Sequence, residues 1–192
     1  MNAQRRATPK SIRTREAIEI AARELFMANG FDRTTVREIA ARAGIDASMI
    51  IRYFGSKDGL FARVATIDLQ LPDLSKADPA TIGETLVRHF LDQWEGKHSR
   101  GGLPILLRSA ASNPEAAERL GDLFRIQVSP AVALLGPASN APMRAGLVAS
   151  QLLGLAMARY VLCLPPVVAM SRDLIARTIG ETVQRYATGM SL

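Results

Sequence analysis

Residues 30–61 read GFDRTTVREIAARAGIDASMIIRYFGSKDGLF, and several helix boundaries can be recognised within them. Thr35 heads one helix, because its hydroxyl can cap the backbone and a glutamate three residues later can reach back to the cap amide. Gly44 ends that helix, since glycine tolerates the left-handed conformation of helix ends. Asp46 caps the next helix and Ser56 another. The segment therefore predicts two short helices joined by a tight turn, and the start of a further helix.

A longer helix is predicted before this segment, from Thr14 to Asn29, with Gly30 as its stop. Its apolar residues lie three or four positions apart and form one stripe. They are Ile18, Ala21, Ala22, Leu25 and Phe26. Together with the two short helices, this helix is predicted to form a three-helix unit in residues 13–61.

The second and third of these helices are expected to cross at a steep angle. Such a crossing needs a small residue at the closest approach and a residue that tolerates positive φ in the turn, and Ala40 and Gly44 supply them. Ile45 and Ile50 then close the contact. This arrangement is typical of a helix-turn-helix motif, whose second helix enters the DNA major groove.

The outer face of the third helix carries side chains that suit a DNA groove better than solvent. Ala47, Ser48, Ile51 and Arg52 share this face, opposite the inner residues. Arg52 can donate a bidentate pair to guanine, and Ile51 or Ala47 can contact thymine methyl groups. A three-helix bundle without a nucleic-acid role would have the same spacing, so both interpretations stay open here.

Groups suited to phosphate contacts surround this face. They are the helix N-terminus at Thr35, the hydroxyl of Tyr53 and the ammonium of Lys57. The net charge of +6 is concentrated nearby, because residues 1–57 hold 11 Lys and Arg against 6 Asp and Glu. The first 15 residues are basic without a single acid. They fit either phosphate binding or a solvated tail.

Catalysis and membrane insertion are both disfavoured. Cys163 is the one cysteine, so no internal disulfide can form, and we expect it to be a buried apolar filler. No metal-ligand spacing, nucleophile elbow or glycine-rich phosphate loop occurs, so we expect no enzyme, cofactor or metal. No secretory signal is evident, and Gln151 and Arg159 interrupt the longest apolar stretch, Ala145–Leu164. We therefore expect a cytoplasmic protein without a membrane partner.

Beyond residue 71, prolines mark most of the breaks between predicted helices. These helices are Ala80–Glu95, Leu103–Ala111, Pro114–Val128, Ala141–Leu164 and Ser171–Tyr186. Whether Pro130 kinks a helix or lies in a loop stays open. Because no alternating strand pattern occurs, the sequence predicts an all-α protein.

The N-terminal segment resembles the tetracycline-repressor-like (TetR/AcrR) family of transcriptional regulators. The matching residues are Gly30-Phe31, Thr34-Thr35-Val36, Ile39-Ala40, Ala43-Gly44-Ile45, Tyr53-Phe54, Ser56-Lys57 and Leu60-Phe61. The resemblance implies an all-α fold, in which a fourth helix joins an N-terminal three-helix DNA-binding head to a C-terminal helical body for ligand binding and dimerisation. We accordingly expect a basic flexible leader at residues 1–12, a head at 13–61 and a body at 62–192.

The resemblance also implies a sequence-specific regulator, most simply a repressor that a small-molecule effector releases from a palindromic operator in double-stranded DNA. The alternatives are a non-specific or architectural DNA-binding protein, or an activator of the same fold. In the family, the residue matching Lys57 contacts phosphate. Ile51 stands where the family usually has tyrosine, so an apolar base contact is expected in its place. The family residues that approach DNA match Ala47, Ser48, Met49, Arg52 and Tyr53.

Two sets of residues in the body are candidates for a ligand pocket and a dimer interface, with ordinary core packing as the alternative for each. The pocket candidates are His89, Phe90, Trp94, Arg108, Phe124, Met157 and Tyr160. The dimer candidates are a small-residue strip, Gly146, Ser150, Gly154 and Ala158, and an apolar stripe on the last helix, Ile175, Ile179, Val183 and Tyr186. A two-fold homodimer would present two recognition helices to a palindrome.

Overall fold

The computed structural model describes residues 9–96 and 102–189. Within these ranges all regular structure is helical, as predicted. The α-helices are α1 (Pro9–Asn29), α2 (Val36–Ala43), α3 (Ala47–Phe54), α4 (Lys57–Val64), α5 (Ile82–Glu95), α6 (Gly102–Ser109), α7 (Pro114–Leu123), α8 (Ser129–Ala133), α9 (Ala141–Ala156), α10 (Pro165–Val168) and α11 (Arg172–Thr188). Two π-helical segments, Phe124–Val128 and Met157–Val161, continue α7 and α9, and short 3-10 turns lie at Leu74–Lys76 and Ala138–Asn140.

The predicted caps of the head are present. The Thr35 hydroxyl accepts from the Glu38 amide, and the Glu38 carboxylate accepts from the Thr35 amide. Gly44 ends α2 at a φ of 67°, in the left-handed region where a side chain would be strained. Asp46 caps α3 and Ser56 caps α4 through their side chains. Because a cap involves only residues a few positions apart, the local sequence is enough to predict these boundaries.

The first helix begins at Pro9, earlier than the predicted start at Thr14. Proline is tolerated in the first turn of a helix, because its missing N–H would have no intrahelical partner there. Residues 9–12, which we had placed in the flexible leader, are therefore helical. The remainder of that leader, residues 1–8, lies outside the described residues.

The core of the head extends into the body. Phe26, Phe31 and Phe61 form its aromatic centre, with ring centroids 4.9 to 5.9 Å apart. Ile105 and Leu106 of α6 are buried in the same apolar cluster. The predicted boundary after residue 61 therefore falls inside α4, and it does not separate two cores.

The body is built around α5, α9 and α11, and two glycines allow α5 and α11 to cross closely. A Cβ added to Gly83 would lie 2.1 Å from the carbonyl oxygen of Gly180. At this separation the apolar side of α11 is buried against α5, and Val87 and Leu91 of α5 are fully buried with it.

This packing corrects the predicted dimer stripe on the last helix. Ile175 and Val183 are completely buried in the body core, and Ile179 and Tyr186 pack half-buried against the same cluster. Apolar periodicity predicts that one side of a helix is buried, but it does not identify the partner. The partner of Ile175 and Val183 is within the same chain, whereas a dimer contact of the half-buried Ile179 and Tyr186 stays a prediction.

The chain remains helical through Pro130. The Ser129 amide donates to the Phe124 carbonyl, five residues earlier, so the turn before the proline is a π turn. A proline inside a regular α-helix removes one hydrogen bond, and its ring clashes with the carbonyl four residues earlier. The wider turn at Phe124–Val128 relieves that conflict, and α8 continues from it.

The predicted helix Ala141–Leu164 ends early. It changes to a π-helix at Met157, and the chain turns at Cys163, which has a φ of 51°. Cys163 is exposed, so the prediction that it fills the core is wrong. Pro165 then starts a four-residue helix where only a break was predicted. Among the described residues, no helix combines the length and apolarity needed to cross a membrane.

Candidate nucleic-acid interface and ligand cavity

The predicted recognition helix, α3, is fixed at its start and along its inner side. The Ile45 amide donates to the Ala40 carbonyl at 3.0 Å and closes the turn after α2. The Asp46 carboxylate accepts from the Ser48 amide at 2.8 Å. Ile50 is fully buried in the head core. These contacts leave the outer side of α3 free to face another molecule.

Three of the predicted reading residues, Ser48, Ile51 and Arg52, are exposed together on that outer side. Ile51 is 50% exposed, whereas Ala47 and Met49 are half-buried at its edge. The surface thus presents a hydroxyl, an apolar group and a guanidinium within two helical turns. These are the chemical groups that contact base edges in a major groove.

The guanidinium of Arg52 lies against an aromatic ring. Its central carbon is 5.4 Å from the centroid of Tyr53, which restricts the directions that the side chain takes. Ion pairs in the head join other arginines, Arg42 with Glu24 and Arg63 with Glu19. Arg52 therefore keeps its donors on the exposed surface of α3.

Arg15 has a structural contact that the sequence did not reveal. Its guanidinium donates to the Tyr53 carbonyl at 3.1 Å and lies 5.4 Å from the Phe54 ring centroid. The sequence placed Arg15 in a run of basic residues suited to phosphates. In the structure it ties α1 to the last turn of α3, beside the predicted phosphate contact at Tyr53.

The N-terminus of α2 is occupied by a carboxylate of the same helix. The amide and the hydroxyl of Thr35 both donate to the Glu38 carboxylate, each at 2.8 Å. A phosphate at this helix N-terminus has to displace or share these donors. The phosphate contact of Thr35 therefore stays a prediction, with a carboxylate as its internal competitor.

The caps of α2 and α3 make the head sensitive to acid. The pKa of Glu38 lies below its ordinary 4.5, mainly because of the backbone hydrogen bond from Thr35, and hydrogen bonds from Ser48 lower the pKa of Asp46 below 3.8. A carboxyl group whose pKa is lowered by folding stabilises the fold above its unfolded pKa, and this contribution is lost as pH falls through the folded value. We expect the thermal midpoint to drop as the pH falls below about 4.5.

Thermal unfolding followed by circular dichroism between pH 7 and pH 3 measures this effect. Glu38→Gln should unfold earlier at pH 7 and lose less on acidification than the wild type. Glu118→Gln, an exposed change on α7, is the matched control. Parallel pH curves for Glu38→Gln and the wild type would show that the cap does not contribute.

Lys57, which is predicted to contact phosphate, forms contacts within the head. Its ammonium donates to the carbonyls of Phe31 at 3.0 Å and Thr34 at 3.1 Å. It also lies 3.9 Å from the centroid of the Phe31 ring. Lys57 thus binds the turn between α1 and α2 from within the head. One N–H at most is left for a phosphate, since an ammonium has three donors.

A cavity of about 330 Å³ lies in the body. Its walls come from α5, the start of α6, the end of α7 with its π turn, α8, α9 and the segment after α4. Three predicted pocket residues, His89, Phe90 and Phe124, line it. His89 and Gln93 are the polar side chains among its described lining residues, and the rest of the lining is apolar apart from Gly121. A cavity of this size and character fits a small, mostly apolar molecule.

The other predicted pocket residues lie outside this cavity. Trp94 and Tyr160 stack on each other with ring centroids 4.6 Å apart, and Arg108 donates to the Tyr160 carbonyl at 2.9 Å. Met157 is half-buried in the π turn beside them. Arg108 is half-buried, and its guanidinium contacts a backbone carbonyl outside the cavity. Sequence reasoning missed Gln93 and the cavity wall formed by Leu69, since the fold alone brings them together.

The small-residue strip of α9 is largely open. Gly146, Ser150 and Gly154 are exposed and Ala158 is half-buried. A Cβ added to either glycine would meet no atom within 4 Å. Exposed Leu153 lies beside the strip. The part of α9 predicted to approach a second helix is therefore uncovered in the single chain.

The chain combines a capped helix-turn-helix head with a helical body around an apolar cavity. Proteins with these two parts form a structural class. Residues 20–64 match a family described as bacterial regulatory proteins of the tetR family. Residues 80–187 match the tetracyclin repressor-like C-terminal domain, which is more than half of the chain. The chain therefore belongs to the tetracycline-repressor (TetR) family.

Individual relatives agree with this assignment. The HTH-type transcriptional repressor BdcR of Escherichia coli K12 is 34% identical over 99 residues, 49% of each chain. The chain thus spans about half the length of the curated relatives that it matches. A TetR-family regulator from Streptomyces coelicolor A3 is 32% identical, with 97% of this chain and 99% of that one covered and a TM-score of 0.60. NalD of Pseudomonas aeruginosa, a repressor of a multidrug efflux pump, shares the fold with a TM-score of 0.71 at 22% identity over 93% and 98% of the chains.

Proposed function

We propose that this protein is a sequence-specific, DNA-binding transcriptional repressor, acting in the cytoplasm where bacterial DNA lies. The observation that carries the proposal is the exposed face of α3, where Ser48, Ile51 and Arg52 project from a helix that is capped and buried on its other side. The basic balance of residues 1–57 supports it, since cationic surfaces attract the DNA backbone. Repression is inferred from relatives described as repressors.

In the proposed complex, α3 enters the major groove. Arg52 donates to guanine, and Ile51 contacts a thymine methyl group in place of the tyrosine common in the family. Thr35, Tyr53 and the remaining donor of Lys57 face the phosphates, which set the register of the head without reading sequence.

Selection of bound duplexes from a random pool at fixed salt tests this function. A specific dimeric regulator selects a palindrome, and the spacing between its half-sites gives the separation of the two recognition helices. Recovery of no sequence motif would contradict the proposal and favour a non-specific, architectural DNA-binding protein.

We further propose a homodimer that uses the open side of α9. Gly146, Ser150 and Gly154 let a second helix approach closely, while Met143 (51% exposed) and Leu153 (37% exposed) supply apolar area beside them. A two-fold interface repeats each contact twice, so one charged substitution acts on it at two places.

Met143→Arg is therefore expected to convert the dimer to a monomer at micromolar concentration, because it places a guanidinium group in both copies of the repeated contact, and Met143 does not line the cavity. Sedimentation velocity measures the outcome. Leu134→Arg is the matched control, since Leu134 is 74% exposed on the turn after α8. Dimers that survive Met143→Arg would exclude this side of α9 as the interface.

The cavity is proposed as the site of a small-molecule effector that lowers operator affinity. Coupling of the two sites is reciprocal, so operator DNA must weaken effector binding by the same factor. Operator affinity by fluorescence anisotropy, with and without a bound effector, tests this part. Unchanged affinity with the cavity occupied would exclude the release mechanism.

A further inference from the structure

The segment between the head and the body is held by side chains on both sides. We call residues 65–71 the linker. The imidazole Nε2 of His89 donates to the Leu69 carbonyl at 2.7 Å, and the Gln93 amide donates to the same oxygen at 3.2 Å. From the other side, the side-chain carbonyl of Gln127 accepts from the backbone amide of Leu69 at 2.9 Å. The side-chain amide of Gln127 donates to the backbone carbonyl of Ile67 at 3.3 Å.

The linker also separates two cavities. Leu69 and Leu71 line the large apolar cavity, together with His89 and Gln93. A smaller cavity of about 180 Å³ lies on the other side, lined by Gln127 and by residues 65–67 of the linker. Packing holds the first part of the linker, since Ala65 is buried in the head core and Ile67 packs against it. At Leu69, which borders the large cavity, the position of the backbone depends on the hydrogen bonds from His89, Gln93 and Gln127.

The backbone beside Leu69 is strained. Gln70 has a φ of 47°, in the left-handed region that residues with a side chain disfavour. Such a conformation persists only while the surrounding structure holds it. Loss of the hydrogen bonds to Leu69 would let the linker relax to a different path.

The linker continues directly from α4. Val64 and Ala65, where α4 ends, are buried in the core of the head. A displacement of the linker therefore acts on α4, which packs against α1 and α3. This gives a physical route from the large cavity to the recognition helix.

We propose that His89, Gln93 and Gln127 form a latch on the linker, and that an uncharged, mostly apolar ligand with one hydrogen-bonding group opens it. The ligand's polar group takes over the donors of His89 and Gln93 from the Leu69 carbonyl. Among the described lining residues of the cavity none carries a carboxylate, ammonium or guanidinium, so a charged ligand would lose its hydration without an ionic partner. This inference rests on the proposed role of the cavity as the effector site.

Hydrogen exchange of the full-length protein tests the latch without any DNA. The probe is 1-naphthol, an uncharged aromatic with a single hydroxyl, and mass spectrometry follows amides in peptides that cover residues 60–71. Saturating 1-naphthol should speed exchange there roughly tenfold in the wild type. Gln127→Leu should exchange fast already without the probe. Gln151→Leu, the same chemical change on α9 outside the latch and the cavity lining, should behave as wild type.

The affinity for 1-naphthol is a second measurement, and it distinguishes a latch role of Gln127 from a role in stabilising the fold alone. Its side chain does not line the large cavity, so Gln127→Leu removes no direct contact to the ligand. Since coupling is reciprocal, opening the latch should tighten 1-naphthol binding several-fold. Fluorescence titration measures this affinity. The double variant His89→Phe/Gln93→Leu should also exchange fast at residues 60–71, and should not respond further to the probe.

Each alternative outcome overturns the latch. These outcomes are an unchanged exchange rate in Gln127→Leu, an equal response of all variants to the probe, and no effect of 1-naphthol on the wild type. The latch and the DNA-binding function fail separately. If no operator is selected, the proposed DNA-binding function is refuted and the exchange results still stand. If an operator is selected and the exchange test fails, only the latch is refuted.

Discussion

Gly83→Ala is expected to destabilise the body by about 3 kcal/mol or more, because the added methyl group meets backbone that cannot move aside. Its Cβ would lie 2.1 Å from the Gly180 carbonyl oxygen and 2.6 Å from the Gln184 amide nitrogen. The Gly83 amide also donates to the Gln184 side chain at 2.7 Å. Relief of the clash requires α5 and α11 to separate, which breaks this bond and opens the core around Ile175.

Denaturant unfolding measures this loss at a fixed protein concentration. Trp94 is the one tryptophan of the chain and lies in α5, so its fluorescence reports on the body. Gly121→Ala is the matched control, since its Cβ would meet no atom within 4 Å. That change should be neutral or stabilise by up to about 1 kcal/mol, because glycine is a poor helix former. Equal unfolding midpoints for Gly83→Ala and the control would disprove the close crossing.

The same crossing shows what a sequence leaves undetermined. The stripe of Ile175 and Val183 was recognised from its helical spacing, and both residues are buried. Their partner helix could not be derived, because α5 and α11 are brought together by a contact between residues almost a hundred positions apart. In contrast, the caps at Thr35, Asp46 and Ser56 depend on neighbours within three residues, and all were predicted.

The buried charge of the body was not predicted, for a similar reason. Among the described residues, Arg144 is the arginine with no exposed surface. Its guanidinium donates to the carbonyls of Val132, Pro137 and Ala187, at the ends of α8 and α11. Carbonyls at helix C-termini attract a cation and need donors. That environment exists only after α8, α9 and α11 have packed.

The candidate DNA surface was the more predictable site, because one helix carries most of it. Once Ile50 is placed inward, helical geometry puts Ile51 and Arg52 outward. The cavity draws its walls from several helices and the linker, so the sequence identified only part of it. Lys57 shows a different limit: its position was predicted, but the carbonyls of Phe31 and Thr34 that bind its ammonium were not.

Arg52→Ala is expected to have the largest effect on the proposed DNA binding. A bidentate arginine–guanine pair discriminates by about 1–3 kcal/mol, which is roughly 10- to 100-fold for one half-site. A two-fold dimer loses the pair in both half-sites, so the affinity for a palindrome should fall by about 100- to 10,000-fold. The Arg52 side chain is exposed and its ring contact is limited to Tyr53, so the fold should be unaffected.

Two comparisons separate base reading from charge. Arg52→Lys keeps the positive charge but loses the two-pronged donor geometry, so it should bind scrambled duplexes like the wild type and still lose most of the preference at one base pair. Arg63→Ala removes a cation that is paired with Glu19 on α1, and it should leave the preferred sequence unchanged. Fluorescence anisotropy at fixed salt, on the selected operator and on its single-base variants, measures all three. If Arg52→Ala weakened every duplex by one common factor, Arg52 would contact phosphate, and the reading of sequence would fall to Ser48 and Ile51.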